Sequence, residues 1–99
     1  MNGKPEVKTE EWYEIWSKHL YGDLDGVENR LRSEKDRKIA VEIAKKVSLN
    51  PTEFEDILPT IAREVKLGCA LVVRKVTQVS TVTIEDVESF RSHSSVPLK

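Results

Sequence analysis

The chain has 99 residues, 38% of them hydrophobic and 33% charged, and a formal net charge of −1. That length implies one domain burying roughly 60–70% of its unfolded surface, and the charge balance argues against an electrostatic nucleic-acid binder. No apolar run reaches the roughly 18–20 residues of a membrane span, residues 1–8 lack the apolar stretch of a secretory signal, and the single Cys69 cannot close an internal disulfide, as expected of a reducing, cytoplasmic setting.

Residues 1–8 are polar, contain Gly3 and Pro5, and read as a flexible arm. Thr9, Glu10 and Glu11 then stand where a helix N-terminus favours a cap and acids. Four of the six aromatic residues follow: Trp12, Tyr13, Trp16 and Tyr21. Trp12, Ile15, Trp16 and His19 share one helical spacing, and Tyr13, Trp16 and Leu20 another, so the run predicts a helix apolar around more than half its girth. Gly22 ends it.

Asp25 to Glu28 and Ser33 to Asp36 each have the form of a capping box. The second opens a helix whose apolar stripe is Ile39, Ala40, Ile43, Ala44 and Val47. Ser48 to Pro51 breaks the pattern, and Thr52 to Leu58 predicts a short acidic helix with Phe54, Ile57 and Leu58 inward. Pro59 imposes a break or kink. From there Leu58, Ile61, Val65, Cys69, Val72, Val76 and Val79 advance by threes and fours, a heptad-like seam that predicts a long helix with Gly68 as an internal weakness. The competing reading is strand, because Val72, Val73, Val76, Val79, Val82 and Ile84 are β-branched. Thr83 to Asp86 resembles a third capping box, with Val87 and Phe90 inward. Residues 93–99 read as a flexible tail.

The sum is a mainly α domain over residues 9–92, a compact bundle of four to five helices. The alternative is an α+β fold with a short hairpin within residues 71–84. Glutamine occurs once and Glu, Lys and Arg are plentiful, a composition that predicts thermostability.

No reactive constellation emerges. Starting a calcium loop at Asp23 puts Val27 and Glu28 where an oxygen ligand and a glycine are required. His19, His93 and Cys69 form neither a C-x-x-C nor an H-x-x-x-H pair, so no metal site and no cofactor are expected. Cys69 lies on the apolar seam as a buried, inert thiol, and nothing recommends a Cys–His nucleophile pair. Carboxylates at helical spacing, such as Glu10 with Glu14, suit solvated faces. No enzyme is expected.

Two stretches resemble known families. Residues 42–58, with a small Ala44 and apolar Val47, Phe54 and Ile57, resemble a helix-turn-helix. The resemblance implies DNA reading, against which Glu53, Glu55 and Asp56 would face phosphates. Residues 34–92, ending in the capped segment Ser80 to Val87, resemble a histone fold, which implies obligate dimerisation. Pro59 interrupts its long helix, and a basic wrapping surface is missing.

The expected function is therefore that of a small, intracellular, non-enzymatic interaction or structural protein, self-associating as a homodimer. Its partner-binding residues are Trp12, Tyr13, Trp16 and Tyr21, because Trp and Tyr dominate interface energetics. The alternative is a nucleic-acid-associated regulator using Arg30, Arg32, Lys35, Arg37, Lys38, Lys45 and Lys46, with Arg74 and Lys75 at its margin.

Overall fold

A computed structural model describes residues 9–79 and 81–91. Residues 1–8 and 93–99, expected to be an arm and a tail, lie outside the described residues, and His93 with them. Four strands and two helices follow in the order β1 (Glu10–His19), β2 (Glu28–Glu34), α1 (Arg37–Leu49), α2 (Pro59–Lys66), β3 (Cys69–Gln78) and β4 (Val82–Phe90). The strands form one antiparallel sheet in the order β2-β1-β3-β4, and both helices pack on one face of it.

The fold is thus α+β, and the helix bundle and the all-α class expected from the sequence are overturned. The aromatic run at 12–21 is strand β1. Trp12 and Trp16, four apart, share a face in a strand as they do in a helix, so the spacing misled. The Asp25 to Glu28 capping box is a turn leading into β2, with Gly22 and Gly26 at φ 75° and 89°. The long seam from 58 to 79 is two elements. Pro59 is the first residue of α2, where its missing N–H costs nothing. Gly68, at φ 94°, turns the chain back so that Cys69 starts β3. The Thr83 to Asp86 box lies within β4, so the hairpin runs from 69 to 90, well beyond the 71–84 of the alternative.

Helix α1 is where periodicity placed one. Asp36 is its N-cap, accepting from the Lys38 backbone N–H at 2.8 Å. Ala40, Ala44 and Val47 meet Ile61, Ala62 and Val65 of α2 and Ile15, Leu71 and Val73 of the sheet in one core. The residues expected to form the next helix make one 3-10 turn, Pro51–Phe54, followed by turns up to α2. Among the described residues, no helix is long and apolar enough to cross a membrane.

Candidate functional site

Strand alternation sorts β1 into two sets. Tyr13 and Ile15 face the helices and join the core. Trp12, Glu14 and Trp16 project from the opposite face, which no described helix covers. Register places Val76 beside Trp12, Arg74 beside Glu14 and Val72 beside Trp16. Val72 and Val76 are 5% and 2% exposed, as enclosed as core residues. The row continues onto the edge strand β4, where Ile84 stands opposite Val76 and is 52% exposed.

Glu14 organises this face. Its carboxylate accepts from the Trp12 indole at 2.8 Å, from the Trp16 indole at 2.9 Å and from Arg30 at 3.5 Å. Burial alone would raise the Glu14 carboxyl. The two indole donors and the Arg30 charge outweigh it and hold the group below its ordinary value of 4.5. The residue is therefore an anion clamped between two indoles, and it fixes both rings in place.

A second network crosses the same face. Arg74 lies over the Trp16 ring, 5.1 Å from its centroid, donating to Asp86 on β4 and to Glu28 on β2, each at 2.7 Å. These bonds raise Arg74 above its ordinary pKa, the Glu28 hydrogen bond first, and lower Glu28 in return. One guanidinium thereby ties together strands at both edges of the sheet.

The four aromatic residues named from the sequence do not share one surface. Trp12 and Trp16 stand on the open face, and Tyr13 packs toward the helices. Tyr21 is half-exposed in the turn after β1, its ring against Gly68. The basic set is also divided. Arg30 is on the open face, while Arg32 pairs with Glu34. Lys35 stands between β2 and α1, and Arg37, Lys38, Lys45 and Lys46 belong to α1 in the other layer, Lys46 pairing with Glu42. Lys75 faces Glu11 at 3.8 Å.

A separate cluster lies at the far end of β1. His19 pairs in register with Cys69, and Glu64 of α2 reaches both. Cys69 Sγ is 3.4 Å from His19 Nδ1 and 3.7 Å from a Glu64 carboxylate oxygen, and that oxygen is 3.6 Å from His19 Nε2. Burial, and then the Glu64 charge, push the Cys69 thiol up to about 11. At neutral pH the free thiol is protonated and makes a poor nucleophile.

Sequence reasoning placed Glu14 on a solvated helix face and Glu28 and Asp86 in capping boxes, and it did not name Glu64. Once β1 is read as a strand, Glu14 stands out, two residues from each tryptophan. Nothing local marks Glu64, because its partners are joined to it only by the tertiary fold. No protein-family model, curated protein or solved structure matches this chain.

Proposed function

We propose that the protein is a non-enzymatic association domain that pairs with a second copy of itself through the sheet face opposite the helices. The observation that carries this reading is the apolar row Trp12, Val76 and Ile84, with Trp16 and Val72 beside it, on a face left without a described helix. The indoles are held by Glu14, so little side-chain freedom is lost when they are covered. Tryptophan is enriched in protein interfaces, and the charges set among the indoles, Glu14 and Arg74, are already paired within the chain.

Charge selects the second copy as the occupant. Arg30, 63% exposed, stands at one edge of this face, and Asp86, 68% exposed, at the other. A two-fold axis lying between two stacked sheets and running along the strands sets β2 of one copy over β4 of the next. Arg30 then faces the partner's Asp86 on both sides of the dimer. Aligned stacking of this kind is a common way to pack two sheets, about 10 Å apart.

Light scattering over a range of concentrations tests the reading. The wild type is expected to show dimer mass. Ile84→Lys, which changes an already half-exposed side chain, is expected to yield monomer. Ile57→Lys, on the helix layer and 72% exposed, is expected to remain a dimer. A wild type that stays strictly monomeric at high concentration refutes the reading.

A further inference from the structure

We propose that His19, Glu64 and Cys69 form a mononuclear binding site for a zinc-class divalent cation, fastening α2 to the adjoining ends of β1 and β3. The site is independent of the sheet-face association. It lies at the His19 end of β1, and its residues belong to the helix-facing side.

The donor set is the first argument. A thiolate, an imidazole and a carboxylate are the three ligand types that zinc takes, and a sulfur donor disfavours magnesium and calcium. The two acidic ligands balance the two charges of the ion, and the imidazole binds neutral. Without a cation, the protonated Cys69 thiol donates to the Glu64 carboxylate; a cation would take the place of that proton.

Geometry is the second argument. A tetrahedral zinc ion with ordinary bond lengths holds its N, O and S ligands about 3.3–3.6 Å from one another. Sulfur and the Glu64 oxygen are 3.7 Å apart, close to that spacing, while the two ring nitrogens of His19 divide the other contacts, Nδ1 at 3.4 Å from sulfur and Nε2 at 3.6 Å from the oxygen. One ligand atom from each side chain can be chosen so that all lie within 4.8 Å of one another. Sulfur faces Nδ1 and the carboxylate faces Nε2, so coordination through a single nitrogen requires the ring to turn about its outer torsion. That torsion is broad in histidine.

The cage stands on fixed backbone. His19 and Cys69 are register partners in the β1–β3 ladder. The His19 N–H donates to Val27 at 2.9 Å, and its carbonyl accepts from Gly26 at 2.8 Å. The left-handed turn at Gly68 folds Glu64 of α2 back over Cys69. The His19 and Glu64 side chains are each 14% exposed, which leaves an entry path and a side from which water completes the tetrahedron.

The test uses untagged, metal-stripped protein titrated with Co2+ and then Zn2+. The expected result is one ion per chain, with a thiolate-to-cobalt charge-transfer band that Zn2+ removes and a melting temperature raised by Zn2+. Because Cys69 is the single cysteine, that band can come from no other residue, and this readout needs no variant. Cys69→Ser is expected to abolish the band, and Glu64→Gln to weaken binding by about tenfold or more. Ile84→Lys is expected to bind as the wild type does, so a failed dimer leaves this result standing. Wild-type protein that gives neither the band nor a Zn2+-dependent rise in melting temperature overturns the proposal. So does binding to Cys69→Ser equal to that of the wild type.

Discussion

Glu14 carries more of the open face than any other side chain, because both indoles and Arg30 converge on its carboxylate. Its folded pKa lies below 4.5, so its contribution to stability is complete above that value and disappears as pH falls through the depressed one. Glu14→Gln should therefore cost about 1–2 kcal/mol at pH 7 and flatten the acid limb of the stability curve, as read by urea denaturation at several pH values. Gly68 has a different kind of importance. A Cβ there would stand 3.5 Å from the Tyr21 ring, an ordinary contact, so space is not the obstacle. At φ 94° the backbone is, and Gly68→Ala should cost about 1–2 kcal/mol in the same assay. Ser17 is fully buried and its hydroxyl has no hydrogen-bond partner among the described residues. Ser17→Ala should raise stability by about 1 kcal/mol, since it removes an unpaired polar group from the core.

Among the elements, β3 explains most of what the sequence concealed. Its first five residues are all buried, because α1 and α2 cover one side and the tryptophan face encloses the other. A strand buried on both sides shows no alternation, which left the spacing of threes and fours from 58 to 79 as the stronger pattern and made a helix the expectation. Bulges added to the confusion, one where β2 slips against Ile15 and Trp16, another where β4 slips against Val73 and Arg74. Each shifts the two-residue period by one. Helix α1, by contrast, was legible, since it is buried along the one stripe of Ala40, Ala44 and Val47 and exposed on its other side. Its N-terminus was placed about three residues early: the expected capping box had Ser33 as the cap and Asp36 inside the first turn, whereas Asp36 is itself the cap. Asp36→Ala should cost about 1 kcal/mol. Leu71→Ala, in the part of β3 enclosed on both sides, should cost about 2–5 kcal/mol. Thermal denaturation of the two variants side by side distinguishes these magnitudes. Of the candidate site, the tryptophans could be named from composition alone. Their clamp could be seen only after β1 was known to be a strand, and the His19, Glu64 and Cys69 cluster only after the chain was folded.

At the scale of the whole molecule, the order β2-β1-β3-β4 places the first strand of the chain in the middle of the sheet. Its two neighbours differ greatly in separation along the chain. β2 follows after one short turn, whereas β3 pairs with it only across α1 and α2, as in His19 with Cys69. Closing so long a loop before any contact rewards it slows folding, so refolding should resemble mixed α/β domains more than the microsecond helical bundles.

That placement also has a cost during synthesis. Trp12 and Trp16 emerge from the ribosome early, but Val72 and Val76 do not yet exist to receive them. At ~5–20 residues per second, roughly 60 further residues occupy on the order of 3–12 s. Throughout that interval the nascent chain trails a bare tryptophan ribbon, which makes β1 the segment a holding chaperone would grasp first.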